Sequence, residues 1–300
     1  MPKVSIVVPV YNGIKYLPDL YDRLHNQTYE DIEIIMVDDL STDDSYLMMK
    51  SFEAQDTRFR AIKVAQKGGC AVKAQVQGLP YCTGEYYFYA SQDDFFDYDL
   101  IEKCICKALE LEADIVLPNM VLYYEGEDNF KHGKYPINND YSQILTGKEA
   151  FSLSLNWEIH AFALRKMSLF KHEPFRADYY NSEEYYFRRM LLYAEKVAFC
   201  DSNFYYRQDN PEAITKTIKY FHVDILLTDM MLFDVMYQQD YSKKVISQRL
   251  KEITINWCRY CKRFMFTKLT REEQKYVNTA LIKVRSDLMR SWWNVLRMSR

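Results

Sequence analysis

No apolar run in this 300-residue sequence approaches the roughly 20 residues that a membrane-spanning helix needs. The first residues, Met1 to Pro9, carry one Lys and pass directly into a strand-like run, so a secretory signal is not expected. Seven cysteines are present, yet Cys258 and Cys261 lack a second Cys or His pair nearby to complete a zinc site. Cys104 and Cys106 fall in a helical pattern, and reduced thiols in a cytoplasmic protein are the reading that follows. There is no G-x-G-x-x-G and no G-x-x-x-x-G-K-[ST]; Gly68-Gly69 alone does not make a phosphate loop. These absences weigh against ordinary dinucleotide and P-loop chemistry. No internal repeat or low-complexity tract is evident.

What is present is ordinary in bulk and uneven in detail. Apolar residues make up 48% and charged residues 27%, as in a globular protein, so disorder is not the default. Aromatics are numerous, with 26 Tyr against 4 Trp; most serve packing, and some offer ring faces to a sugar or base. The net charge of −3 conceals an asymmetry: residues 241–300 hold 15 Lys or Arg against 4 acids, a tail of +11. Such a tail suggests a basic face directed at an anionic membrane surface or a polyanionic acceptor. It contains no recognisable nucleic-acid motif, and nucleic acid is not expected as a partner.

Residues 1–124 alternate short apolar runs with amphipathic stretches. Val4 to Val8 and Glu33 to Val37 read as buried strands, followed by Ala61 to Ala65, Tyr86 to Tyr89 and Asp114 to Met120. Helices are expected from the spacing of Leu17, Leu20, Tyr21 and Leu24, near 43–55 with Ser41 or Thr42 as N-cap, over Ala71 to Leu79, and near 98–112. Pro18 is tolerable only in a first turn. The polar stretch 125–147 reads as a surface loop. Beyond it come a short helix near 147–155, a strand-like segment around 158–164, a helix from Ser182 to Ala194 and a strand from Lys196 to Arg207. From about Lys216 the pattern is helical, in about three helices. Alternation of this kind implies an α/β fold, a mainly parallel sheet covered by helices on both faces. A domain over 1–215 and a basic helical C-terminal extension over 216–300 are the expected division.

In open sheets of this type, ligands bind beyond the carboxyl ends of the strands. The segments there are Pro9-Val10-Tyr11-Asn12-Gly13, Asp38-Asp39 and Ser91-Gln92-Asp93-Asp94. Together with Gln27-Thr28-Tyr29, Ser41-Thr42-Asp43-Asp44-Ser45, Gly84-Glu85-Tyr86, Ser182-Glu183-Glu184 and Tyr205-Tyr206-Arg207, they form an ordered series. Over roughly residues 3–215, that series resembles the family-2 glycosyltransferases of the GT-A fold, a Rossmann-like architecture.

The resemblance implies transfer of a sugar from a nucleoside diphosphate, with a lean to UDP, onto a hydroxyl. Asp39 would accept a hydrogen bond from the uracil ring, and Tyr11 would stack on the base; helix capping and packing are their competing roles. Pro9 and Asn12 belong to the same nucleotide-binding set, and so does Lys67, which like Lys73 stands where related sequences tend to carry another residue and could meet phosphate, a solvated Lys being the competing role. Asp93 and Asp94 resemble the acidic cluster that holds Mn²⁺ or Mg²⁺ against the diphosphate, with Asp94 as ligand and Asp93 nearer the ribose or donor sugar. A hard cation takes oxygen ligands and completes its shell with phosphate and water, so one or two carboxylates suffice. Ser91 stands where a first Asp is often found, and Leu40 where a small Gly is usual. His222 lies where some GT-A enzymes supply a metal ligand. His160 reads as a core or rim residue, and Trp157 as packing or an acceptor platform. Glu184 takes the position of the family's base, with Glu183 pointing elsewhere.

The implied reaction is an inverting single displacement in surface polysaccharide synthesis, such as capsule or lipopolysaccharide, on a saccharide or lipid-linked saccharide at the inner face of the membrane. A sugar nucleotidyltransferase would need a Gly-rich basic triphosphate loop early in the chain, and Pro9 to Gly13 is not one. A catalytically inactive sugar-nucleotide-binding or scaffold subunit is the alternative from another class.

Overall fold

The computed structural model describes residues 1–125, 133–172, 175–177, 179–211, 213 and 216–298. The chain forms two compact units. One comprises Met1–Arg176 with Tyr186–Asn210, the other Ala177–Tyr185 with Pro211–Arg300.

The first unit is built on strands β1 (Val4–Val10), β2 (Ile32–Asp38), β3 (Phe59–Lys63), β4 (Tyr86–Tyr89), β5 (Phe95–Phe96), β6 (Ile115–Tyr123), β7 (Gly133–Lys134), β8 (Leu164–Lys166) and β9 (Val197–Arg207). They join one sheet in the order β3-β2-β1-β4-β8-β6-β9-β5, with β7 on β6. β1 to β4 are parallel to one another, as their unbroken apolar runs suggest, and β6 runs parallel to β9. β8 is antiparallel to both β4 and β6 through short pairings, so the sheet is mainly parallel, as the sequence pattern suggests, with an antiparallel strand set into it.

Helices α1 (Leu17–His25), α2 (Ser45–Gln55), α3 (Ala71–Gly78), α4 (Leu100–Leu111) and α5 (Gly147–Leu155) follow in the first unit. Period-2 alternation divides them between the sheet's faces. Val4, Ile6, Val8 and Val10 share one core with Leu17, Leu20 and Leu24 of α1 and Leu100, Ile101, Cys104 and Ile105 of α4. On the opposite face α3 lies close to the sheet: a β-carbon on Gly78 would fall 2.9 Å from Val7 and 3.0 Å from Val37. Pro18 sits in the first turn of α1, where its missing N–H costs nothing.

Four expectations are corrected. The N-cap of α2 is Asp44, not Ser41 or Thr42, and its side chain makes no cap bond. Ser41 is drawn instead to the loop after β1, where its hydroxyl accepts from Asn12 N–H at 3.0 Å. β3 begins two residues early, because Phe59 is buried and pairs with Ile34. Residues 158–163 are not a strand: His160 receives Phe162 N–H on Nδ1 and donates from Nε2 to Pro118 C=O at 2.8 Å, replacing a ladder by a side-chain clasp. The stretch 125–147 holds β7 and a 3-10 turn, Ile137–Asn139; residues 126–132 of it lie outside those described.

Helix α6 spans Ser182–Leu191. Its first turn belongs to the second unit, together with α7 (Asp224–Tyr237), α8 (Lys243–Met265) and α9 (Arg271–Arg297). Ser242 and Thr270 cap α8 and α9, the latter in a capping box with Glu273. Their shared core contains Leu226, Met230, Phe233, Ile246, Leu250, Ile253, Val277, Val284 and Leu288. No described helix is long and apolar enough to cross a membrane.

Candidate active site

Strand order locates a crevice in the first unit. β1 is followed by β2 and β3 on one side and by β4 on the other, so the winding reverses between β1 and β4. Ligands of open α/β sheets bind at such a switch point, beyond the strands' carboxyl ends. The register there shows how the crevice opens. Ala90 N–H still donates to Val7 C=O, but Pro9, two residues on and pointing the same way, has no N–H to offer. β1 continues along β2, where Pro9 faces Val37, while the chain after β4 turns away. Pro9 therefore shapes this site through its missing donor.

Gln92 closes the gap at its base. Its Oε1 accepts from Tyr11 N–H at 2.8 Å and its Nε2 donates to Tyr11 C=O at 3.1 Å. This pair joins the loops after β1 and β4. Asn12 joins the loops after β1 and β2: its Oδ1 accepts from Thr42 N–H at 2.8 Å, and its backbone adopts φ 48°. Asp43 and Ser45 also accept from the loop after β1, at Ile14 and Gly13. The buried Asp39 carboxylate accepts from Gly68 and Gly69 N–H at 2.5 and 2.7 Å, which carries the Gly-Gly segment to the same edge. Lys67, just before it, places its ammonium 3.8 Å from the centroid of the Tyr11 ring. One face of that half-exposed ring is thus engaged by a cation. Leu40 has φ 57°, a left-handed backbone that favours Gly.

Asp94 is the most unusual group at the edge. It is 3% exposed; Oδ1 accepts from Arg207 N–H at 2.9 Å, and Oδ2 is buried with no donor in hydrogen-bonding geometry. Burial, and then the charge of Asp93, push its carboxyl well above the usual carboxylate range, while Arg207 and Ser91 oppose the shift. A buried carboxylate oxygen without a donor is costly unless a cation meets it. Asp93 is more committed: Oδ2 accepts from Asn210 at 2.7 Å, and its carbonyl accepts from Arg207 Nε at 2.9 Å. The Arg207 guanidinium also lies over the Tyr16, Phe95 and Tyr123 rings, so Arg207 holds the acidic loop from both backbone and side chain.

These residues fit a hard divalent cation in one respect: Asp94 Oδ2 offers an unused, enclosed lone pair. No group of three or more His, Cys, Asp or Glu is arranged for a metal among the described residues. Substrate phosphate and water would therefore have to complete the shell.

The other candidates belong to the second unit. Ser182 ties the turn before α6, its hydroxyl receiving Tyr179 N–H at 2.6 Å. Asp224 holds the same turn, accepting from Tyr180 N–H at 3.1 Å and from Tyr276 hydroxyl at 2.7 Å. Asn181 is held by Thr228 at 2.9 Å. On this fixed turn, Glu183 has its Oε2 buried without a donor, and burial, then the Glu184 charge, raise its carboxyl to about 8. Glu184 N–H donates to Asn181 C=O at 3.1 Å. His222 is buried beside the Tyr180 and Phe221 rings, and its Nδ1 accepts from Lys219 N–H at 3.0 Å.

His160 is a core residue: burial holds its imidazole at about 4, so it is neutral at pH 7. Trp157 is 42% exposed, with the Arg188 guanidinium 4.6 Å from its ring centroid. Residue type and spacing do not single out Gln92, Arg207 or Asn210. The first two stand inside recognisable motifs, whereas nothing in the sequence marks Asn210, which only the return of the chain after β9 brings to Asp93.

Comparisons with known proteins agree with this architecture. The model of the family described as "Glycosyl transferase family 2" matches residues 5–178. Glycosyltransferase GlyG of Streptococcus pneumoniae is 32% identical over 225 residues, 71% of this chain and 73% of that protein. Glycosyltransferase GlyA of the same organism is 30% identical over 68% of this chain, a match spanning 30% of its own length. Among solved structures, S. aureus TarS 1–349 in complex with UDP-GlcNAc superposes with a TM-score of 0.65 at 16% identity, covering 98% of this chain and 90% of that one. At that identity the likeness speaks for the fold alone. The switch-point crevice with its Asp-Asp loops, the GT-A architecture and the family match over more than half the sequence converge: the chain belongs to glycosyl transferase family 2 and is a glycosyltransferase.

Proposed function

We propose that the protein transfers a sugar from a UDP-sugar to a hydroxyl of a saccharide or lipid-linked saccharide, by a metal-dependent single displacement with inversion. The observation that carries this reading is Asp94: a buried carboxylate oxygen without a donor, at the switch point where Tyr11, Asp39 and Gln92 converge. Structural neighbours bound to UDP-GlcNAc, and to GDP-Man with Mn²⁺, support a nucleotide-sugar donor.

Each residue has a task that its chemistry suits. Tyr11 offers the ring face not engaged by Lys67 to the base. Asp39 keeps lone pairs beyond its two backbone donors and would accept from the base as well as position Gly68-Gly69. Lys67 is poised to exchange its aromatic partner for a phosphate. Asp94, with Asp93 beside it, would hold Mn²⁺ or Mg²⁺, which when bound supplies charge neutralisation to the departing diphosphate. Glu184 is the candidate base for the acceptor hydroxyl. Glu183, with a carboxyl raised to about 8, would remain largely protonated at pH 7 and so is unsuited to accept that proton. Surface polysaccharide synthesis on the cytoplasmic side of a membrane is the setting that fits such a donor and acceptor.

A panel of UDP- and GDP-sugars, assayed for nucleoside diphosphate release with Mn²⁺, Mg²⁺ or chelator, tests this reading. One UDP-sugar should be turned over, with loss of activity in chelator. Preference for a GDP-sugar would overturn the donor assignment, and full activity in chelator would overturn the metal.

A further inference from the structure

We propose that the outward face of α9 is an in-plane membrane contact that rests on an anionic lipid surface. α9 has two faces. Val277, Ala280, Val284, Leu288, Ser291 and Val295 are buried in the core of the second unit. At about 100° per residue, Ile282, Met289, Trp293 and Leu296 fall within roughly 60° of one another on the opposite side. They are 67%, 65%, 57% and 69% exposed, so four large apolar side chains line one stripe in water. Scattered exposed apolar residues are normal, but an aligned row of this size marks a contact surface.

Charge decides which occupant fits. Lys283, Arg285, Arg290 and Arg297 are exposed beside the stripe, and residues 274–298 contain a single acid, Asp287, which is paired with Arg290. A second copy docked on this stretch would bring cations against cations, with Asp287 already paired to Arg290 and Glu272 and Glu273 two turns or more before the stripe. An anionic bilayer instead accepts apolar side chains at the headgroup boundary and cations at its surface. Trp293 suits that boundary: its ring lies half in solvent, with the Arg297 guanidinium 4.4 Å from its centroid. The helix would lie in the plane, since it is too polar to span. This inference is independent of the donor and acceptor assigned above, and its test measures binding rather than turnover.

The experiment is vesicle sedimentation of the full chain with phosphatidylcholine alone and with phosphatidylglycerol added, at low and high salt. Binding should require phosphatidylglycerol and weaken with salt. Each surface cation contributes a factor of about five, so combining Arg285→Gln with Arg297→Gln should weaken binding by about 25-fold. Met289→Glu with Trp293→Glu should abolish it, and because these residues are exposed, the thermal midpoint should hold. No sedimentation with phosphatidylglycerol, or equal sedimentation with both vesicles, overturns the proposal. So does unchanged binding by the Met289/Trp293 variant. Sedimentation velocity separates the remaining occupant: a dimer that Met289→Glu dissociates would assign the face to a second copy.

Discussion

Replacing Glu183 by Gln should change how stability depends on pH, and the structure sets the sign and the size. The Glu183 carboxyl is raised from 4.5 to about 8 in the folded chain, first by burial and then by Glu184. Between those values the folded chain holds a proton that the unfolded chain has released, so stability falls as pH rises, by about 1.4 kcal/mol per pH unit. The favourable balance is complete below about 4.5 and is lost as pH passes about 8. The full interval corresponds to about 5 kcal/mol at most. Glu183 as a residue is only half-buried, although Oε2 is enclosed, so roughly 2–3 kcal/mol is the expected size after screening. Gln matches the protonated acid in shape and carries no such dependence. Urea midpoints of both proteins at pH 5, 6, 7 and 8 should start close together and diverge, with Glu183→Gln the more stable at pH 8. Other raised carboxyls, Asp224 and Asp234 among them, are common to both proteins and cancel in the difference. Parallel curves over the whole range would refute the reasoning, because they would mean that Glu183 is ionised and solvated in the folded chain.

Asp94→Ala should abolish metal-dependent diphosphate release without a large fall in the thermal midpoint, since it removes a buried carboxylate oxygen that has no donor along with the bond from Arg207 N–H; near-normal turnover in Mn²⁺ would remove Asp94 from the metal. Glu184→Gln should cut turnover by about 10²–10⁴, with calorimetric UDP affinity unchanged; a smaller loss than that of Glu183→Gln would reverse the two assignments. Asp39→Ala frees Gly68 and Gly69 and should weaken UDP binding in calorimetry, and an unchanged dissociation constant would restrict Asp39 to holding the loop. Leu40→Gly should stabilise the chain by about 0.5–1 kcal/mol by relieving the left-handed backbone at φ 57°; a loss of more than 1 kcal/mol in chemical denaturation would show that the Leu side chain contributes more by packing.

Much of the fold was legible because local pattern and tertiary need agree. Val4 to Val10 form a strand buried along its whole length, and the period of Leu17, Leu20 and Leu24 gives α1, because one apolar side chain can satisfy both propensity and core. Residues 158–163 and the start of α2 depart from their sequence pattern for the converse reason. There His160 and Ser41 spend their hydrogen bonds on segments far along the chain, Pro118 and Asn12, which no local window contains. Within the mainly parallel sheet, the antiparallel entry of β8 is hidden similarly, since its direction between β4 and β6 depends on chain reversal and not on composition.

The sequence by itself determined the family resemblance, the alternation of strands and helices, and the residue types at the strand ends: Tyr11, Asp39, Asp93 and Asp94. Only the tertiary structure decided their states. Gln92 gained its role by meeting the Tyr11 backbone 81 positions away, and Arg207 by donating to Asp94 across 113. Asp94 and Glu183 are ordinary carboxyls until packing encloses one oxygen of each without a donor. α9 reads as one amphipathic helix until its buried row is known, and the aligned apolar residues opposite it stand out as a second face. Residue type fixes what a group can donate or accept, whereas desolvation and distant partners fix what it does, and both are properties of the folded chain.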